Sequence, residues 1–102
     1  MPRIVSFDEQ RATLVVMGEE DQLTSGRRRR ALSRALQAGR DVVVDLRELS
    51  WADSTLMVDL AVLARRLRQQ GRVVSLRGAQ PQVQKLIEMM GLDRLPAVAI
   101  TA

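Results

Sequence analysis

The sequence predicts an α/β fold, a single domain with a mixed, mostly parallel β-sheet and helices packed against it. Strand-like and helix-like segments alternate along the chain, and a continuous apolar run stands near its centre. Glycines follow the helical patterns, as is typical of helix ends. The 102 residues contain no linker and no internal repeat, so we expect one domain over residues 1–102.

The strand candidates differ in their patterns. Residues 3–7 and 12–17 flank a short polar turn, and this spacing predicts a hairpin. Residues 41–46, DVVVDL, are so continuously apolar that we expect a strand covered on both faces. Residues 72–77 form the next candidate. Residues 95–100 form a last short one, which its proline places at an edge or a bulge.

Apolar residues recurring every three or four positions predict three helices. The first extends from about residue 22 to 38, after the acid-rich turn GEEDQLTSG. The second extends from Thr55 to about residue 70, and we expect the segment before it, RELSWADS, to be a connection. The third begins at Pro81, where a missing N–H matters little. Its expected buried stripe is Val83, Leu86, Ile87 and Met90.

The composition argues against several classes of function. The chain has no histidine, so it has no imidazole base and no imidazole ligand for zinc. It also has no cysteine, which excludes disulfides and thiolate metal sites. A carboxylate pair or an unassisted serine would be the remaining routes to catalysis. We therefore expect a protein that is not an enzyme and that carries no cofactor and no metal.

The expected location is the cytoplasm. The absence of cysteine fits a reducing compartment, and the N-terminal residues MPRIVSFDEQ have no apolar signal core. No apolar run approaches the roughly 18 residues of a membrane span, so we expect no membrane insertion.

The net charge of +4 comes almost entirely from arginine. Four arginines at 27–30 suggest nucleic-acid binding, but on a helix they would point in different directions. One Phe and one Trp give few stacking platforms for single strands. A solvated helix face is the favoured interpretation, with no specific nucleic-acid partner. Arg28 aligns with the core side, and we expect it to extend along the helix with its guanidinium in water.

The segment WADSTL, residues 51–56, has two interpretations. In the first, Asp53, Ser54 or Thr55 caps the second helix by accepting a hydrogen bond from a free backbone N–H. In the second, a hydroxyl at that helix start lies near the carboxyl ends of the strands, where α/β sheets place their ligands. A phosphate would be favoured there by the helix dipole, so Ser54 is a candidate phosphate acceptor.

Four segments, together with the order of elements, resemble STAS domains, and most closely the anti-sigma factor antagonists of bacteria. They are VVMGEED, DVVVDLRELSWADSTL, GRVVSLRG and IEMMGLDRL. The resemblance covers about residues 4–98 and implies a STAS-like fold. The GEED turn and DLRELSWADST are fairly specific as a pair, although either alone would be weak. Considered without the family, GEED suits a helix start better than a divalent-ion site.

The resemblance implies a phosphorylation switch. A serine/threonine kinase that is also the anti-sigma factor, a histidine-kinase-like ATPase, would phosphorylate Ser54, with Thr55 as the less favoured acceptor. The unphosphorylated antagonist would bind that kinase and free a sigma factor for transcription, and a phosphatase would reset the switch. Asp53 and Asp21 are expected as acidic neighbours of the acceptor.

A row of residues along the second helix leads away from Ser54. The row comprises Val58, Ala61, Val62 and Arg65, and it lies beside the expected buried stripe. It is a candidate docking face for the kinase. Alternatively, Val58 and Val62 lie at the edge of the core.

One departure from the family keeps a second function open. The family has a glycine where this chain has Leu56, which would either narrow access to Ser54 or indicate a different partner. The alternative is a STAS accessory subunit of a lipid-type ABC transport system that binds the transporter ATPase.

Overall fold

The computed structural model describes residues 4–20 and 25–102, with only the backbone described at residues 4–5, 18–20 and 25–26. The described residues form six strands, three α-helices and a short 3-10 helix. In chain order they are β1 (Ile4–Asp8), β2 (Thr13–Glu20), α1 (Ser25–Gln37), β3 (Val42–Asp45), β4 (Leu49–Ala52), α2 (Ser54–Gln69), β5 (Val74–Arg77), α3 (Pro81–Met90), the 3-10 helix (Leu92–Arg94) and β6 (Val98–Thr101).

The strands form one mixed sheet in the order β1-β2-β3-β5-β6, with β4 beside the far end of β2. The predicted hairpin is confirmed, since β1 and β2 pair antiparallel with Ile4 opposite Met17 and Asp8 opposite Thr13. The other pairings are parallel. The predicted mixed, mostly parallel sheet is therefore confirmed.

The helices cover one face of this sheet. In β3, Val42 and Val44 are fully buried, whereas Val43 and Asp45 are only half-buried. The buried apolar residues of the helices join those of the strands in one cluster. The expectation that β3 is covered on both faces was therefore wrong. Its apolar run reflects a central place in the sheet, where neighbouring strands shield even the open face.

The segment RELSWADS is more than the predicted connection, because it contains β4. Gly18 lies opposite Leu49 and Glu20 opposite Ala52, with an irregularity in β2 between Gly18 and Glu19. Gly18–Glu20 thus extends β2, and the prediction that these residues belong to an acid-rich turn was wrong. The burial of β4 does not alternate, since Leu49 is buried and both Ser50 and Trp51 are exposed, so sequence periodicity could not reveal this strand.

The third helix buries less than its pattern predicted. Val83 and Ile87 are buried and Leu86 is half-buried, but Met90 is 43% exposed. The helix packs against β4 and α2, so only a narrow stripe is covered. Gly91 ends it in the left-handed conformation at φ 77°, as its position predicted.

The last strand, β6, pairs with β5 at the end of the sheet order and begins after Pro96, as expected for an edge strand. Within residues 4–20 and 25–102, no helix is both long enough and apolar enough to cross a membrane.

Candidate functional site

The candidate site lies where β2 and β4 end side by side. Glu20, the last residue of β2, pairs with Ala52, the last residue of β4, and Ser54 begins α2 two residues later. This pairing explains why an acid-rich segment and the WADSTL segment come together. Asp21, the expected acidic neighbour of Ser54, lies outside the described residues.

Asp53 is the N-cap of α2. Its backbone is extended, with φ −100° and ψ −178°, and its Oδ1 accepts a hydrogen bond of 3.0 Å from the backbone N–H of Thr55. Such a cap stabilises a helix by about 1 kcal/mol. Of the three candidates in the sequence, Asp53 is therefore the cap.

The hydroxyl of Thr55 both donates and accepts a hydrogen bond. It donates to Oδ1 of Asp53 and accepts a hydrogen bond of 3.2 Å from Nη2 of Arg28 on α1. The residue is half-buried. Transfer of a phosphate to this oxygen would require both hydrogen bonds to break.

Ser54 is placed differently from its neighbour. It is the first residue of α2 and is exposed. Within the part of the chain that the structure describes, its side chain makes no hydrogen bond. The helix start therefore presents one accessible hydroxyl, Ser54, and one hydroxyl held in a network, Thr55.

Behind this network lies a buried cation. Arg28 is fully buried, and its Nε donates a hydrogen bond of 2.7 Å to Oδ2 of Asp59 on α2. The expectation that the guanidinium of Arg28 reaches water was wrong, because Asp59 and Thr55 supply acceptors inside the protein. An unpaired buried charge would be far more costly than this arrangement.

The charges of α1 and α2 give a sequence signal for this pair. Arg28 aligns with Leu32 on the core side of α1, and Asp59 lies one residue before the buried Leu60 of α2. Two opposite charges on the facing sides of packed helices are candidates for a buried ion pair.

The carboxyl group of Asp53 stays ionised. Burial raises its pKa, but hydrogen bonds from the hydroxyl and N–H of Thr55 and from the N–H of Leu56 lower it. The charge of Arg28 lowers it further, and the net result is a pKa below the ordinary value of an aspartate. A negative charge therefore stands next to Ser54 at neutral pH.

The row along α2 is largely open to solvent. Val58 is 52% exposed and Val62 is 38% exposed, while Arg65 is exposed and Ala61 is half-buried against the core. The two valines thus lie on the surface and not within the core. Single exposed apolar residues are common, but two on one row next to Ser54 form a continuous patch.

Leu56 does not obstruct Ser54. Its side chain is fully buried in the core, whereas Ser54 faces solvent. The residue that replaces the family glycine thus fills the interior and leaves Ser54 open.

Within residues 4–20 and 25–102, no group of three or more acidic, His or Cys side chains could hold a metal ion. The chemistry that this part of the site offers is an exposed hydroxyl beside an ionised carboxylate and a helix N-terminus.

Comparison of the sequence with models of protein families identifies the family of this chain. The STAS_2 family model, described as "Mlab, STAS domain", matches residues 4–99. No sequence among the curated proteins matches the chain.

The solved structures that share the fold include the following three. A candidate anti-sigma factor antagonist from Thermotoga maritima has a TM-score of 0.77 at 13% identity, covering 98% of this chain and 86% of that one. The anti-sigma factor antagonist SpoIIAA in its unphosphorylated form has a TM-score of 0.71 at 25% identity, covering 90% and 82%. An anti-sigma-factor antagonist (STAS) domain protein from Planctomyces limnophilus has a TM-score of 0.63 at 15% identity, covering 98% and 90%.

Proposed function

Because the chain belongs to the STAS domain family, we propose that it is an anti-sigma factor antagonist switched by phosphorylation of Ser54. The unphosphorylated protein binds a histidine-kinase-like ATPase that serves as both anti-sigma factor and serine kinase. Phosphorylation releases it, and a phosphatase restores the binding form. The protein would act in the cytoplasm as substrate and partner, while the kinase supplies the ATP, the metal and the base.

The observation that carries this proposal is the contrast between two adjacent hydroxyls. Ser54 is exposed, whereas the hydroxyl of Thr55 is held by Asp53 and Arg28. A kinase must reach the acceptor oxygen and orient it for transfer of the phosphoryl group. Only the Ser54 oxygen offers this without disturbing the start of α2.

The local electrostatics suit a switch that leaves the fold intact. A phosphoserine adds about −1.5 to −2 charges at neutral pH. The positive end of the α2 dipole favours such a charge at Ser54, while the ionised Asp53 repels it. The folded state therefore tolerates phosphate, while the surface that a partner meets becomes much more negative.

The docking surface for the kinase extends from Ser54 along α2. Val58 and Val62 supply exposed apolar area, Ala61 lies between them, and Arg65 ends the row. From Ser54 to Arg65 the helix rises by roughly 16 Å. A phosphate at one end of this row would add charge at the edge of the contact, where repulsion weakens binding.

Mapping the phosphorylated residue tests this function. The protein is incubated with ATP and a lysate of the source organism, and phosphopeptides are mapped by mass spectrometry. We expect phosphate on Ser54, none on Ser54→Ala, and retained phosphate on the matched variant Thr55→Val. Phosphate on Thr55, or none on either residue, would contradict the assignment of Ser54.

A second candidate function is supported by the description of the matching family model, which names Mlab and not an antagonist. It is a STAS accessory subunit of a lipid-type ABC transport system, whose ATPase would bind the same α2 surface. Leu56 in place of the family glycine fits this alternative. A neighbouring gene for a transporter ATPase would favour it, and one for a histidine-kinase-like ATPase would favour the antagonist.

A further inference from the structure

A groove runs between α1 and α2, beside the row that begins at Ser54. It encloses about 300 Å³. Its apolar wall and floor come from both helices and comprise Leu32, Leu36, Val62 and Leu63. Val62 belongs both to this groove and to the row along α2. The groove therefore continues the proposed docking surface from α2 onto α1.

The rim of the groove is positively charged. Arg29 on α1 and Arg66 on α2 both line it and are both exposed. Within residues 4–20 and 25–102, neither makes an ion pair. Asp59 also lines the groove, but its charge is matched by the buried Arg28 at 2.7 Å. Because Asp59 and Arg28 offset each other, the rim arginines Arg29 and Arg66 leave a net charge of about +2 beside the apolar floor.

We propose that this groove binds an acidic amphipathic helix of the partner protein, an inference that rests on the proposed function of the α2 surface. Apolar residues of the partner helix contact the floor, and its carboxylates pair with Arg29 and Arg66. Arginine suits this role, since its planar guanidinium can form two hydrogen bonds with one carboxylate. Charge complementarity of this kind also selects the partner and speeds the encounter.

The dimensions fit a helix. Residues 29–36 of α1 and 59–66 of α2 border the groove, and each segment rises by roughly 10 Å, or two helical turns. The floor residues Leu32 and Leu36 are four apart, and Asp59, Val62 and Arg66 follow the same helical spacing. A third helix laid between two packed helices presents its own apolar residues at this spacing.

A peptide assay tests the groove. The probe is a fluorescein-labelled helical peptide of roughly 14 residues, with leucines three and four apart and glutamates on both flanks. A matched peptide carries lysine in place of each glutamate. Binding is measured by fluorescence anisotropy to the wild type and to Arg29→Glu/Arg66→Glu. The control, Arg11→Glu/Lys85→Glu, changes the net charge equally at two exposed residues that do not line the groove.

We expect the acidic peptide to bind at least about tenfold more tightly than the basic one. The groove variant should lose about tenfold in affinity, and the control variant less than about threefold. On binding, the amide resonances of Ser33 and Val62 should shift. Equal binding of the two peptides, equal loss in the control, or no binding would overturn the proposal. The assay uses protein with an unmodified Ser54, so its outcome is independent of the phosphorylation switch.

Discussion

Arg28 Nε lies 2.7 Å from Oδ2 of Asp59, and this ion pair joins α1 to α2. Asp59 lies one helical turn after Thr55, whose backbone N–H donates to the N-cap residue Asp53. The same guanidinium reaches the hydroxyl of Thr55 at 3.2 Å. A single buried side chain therefore connects the packing of two helices to the start of α2. The exposed Ser54 is set outside that network.

Substitution of Arg28 by leucine should destabilise the fold. The variant leaves Asp59 without its cation and Thr55 without its donor, and breaking a buried pair is strongly destabilising. The side chain of Asp59 is 26% exposed and can recruit water, so we expect a loss of about 2–3 kcal/mol in the free energy of unfolding. Urea denaturation followed by circular dichroism measures it.

The double variant Arg28→Leu/Asp59→Leu tests the same ion pair by removing both of its charges. Because Asp59 no longer lacks its cation, this variant should be more stable than Arg28→Leu alone. The matched control, Arg30→Leu, removes an exposed arginine of the same helix and should change the free energy of unfolding by less than about 0.5 kcal/mol. A loss for Arg28→Leu no larger than that of Arg30→Leu would show that the ion pair is not structural.

The fold was largely predictable because long elements carry long patterns. The apolar spacing of Leu60, Leu63 and Leu67 predicted α2, and the spacing of the first two strands predicted the hairpin. The strand β4 was missed because its pairing depends on a change of register in β2 after Gly18, which is a property of the folded sheet. The buried position of Arg28 was missed because the composition of one helix does not show which acceptors the next helix provides.

Removal of the Thr55 hydroxyl should weaken the start of α2 without abolishing the fold. Thr55→Val retains the shape of the side chain but loses the hydrogen bonds to Asp53 and Arg28. We expect the free energy of unfolding to fall by about 1–2 kcal/mol, because one buried donor loses its acceptor. The comparison variant Ser54→Ala should change it by less than about 0.5 kcal/mol, since Ser54 is exposed. Equal losses for the two variants would contradict the contrast between an exposed Ser54 hydroxyl and a Thr55 hydroxyl held by hydrogen bonds.

Acidification should remove the stabilisation of the fold that ionised Asp53 provides. Its pKa is lower in the folded protein than its ordinary value, so ionised Asp53 stabilises the fold above about pH 4 and this contribution disappears as the pH falls through the folded pKa. Asp53→Asn can still cap the helix but has no such charge. The stability advantage of the wild type over Asp53→Asn should therefore stay constant down to about pH 5 and shrink as the pH falls further through the folded pKa.

Urea denaturation at a series of pH values measures this difference. Asp45 also has a lowered pKa, through hydrogen bonds from Arg47, but it is present in both proteins and cancels. An advantage of the wild type that stays constant or grows as the pH falls below about pH 5 would contradict the assigned direction for Asp53.

The row along α2 should tolerate charge in the isolated protein. Val62 is 38% exposed, so Val62→Asp should lower the free energy of unfolding by less than about 1 kcal/mol while abolishing partner binding. The neighbouring Leu63 is buried, and Leu63→Asp should unfold the domain by placing a charge in the core. Circular dichroism separates the two results. Unfolding of Val62→Asp would show that Val62 contributes to the core, which would contradict its assignment to the proposed docking face.

The site was predictable only in part. The segment WADSTL supplied the proposed acceptor Ser54 and its acidic neighbour, and the structure adds that Asp53 is the cap and that Ser54 is exposed. The sequence favoured Ser54 over Thr55 through the family resemblance, but it could not show that Arg28 and Asp53 hold the Thr55 hydroxyl. It also could not show the groove, since the position of Arg29 relative to Arg66 depends on how α1 packs against α2.

A pull-down with two baits tests the proposed switch at Ser54. Wild-type protein and Ser54→Asp are exposed to a lysate of the source organism in the presence of ATP, and captured proteins are quantified by mass spectrometry. We expect the wild type to capture a histidine-kinase-like ATPase and Ser54→Asp to capture at least about tenfold less of it. Capture of the same transporter ATPase by both baits, or of no protein that depends on residue 54, would contradict the switch at Ser54.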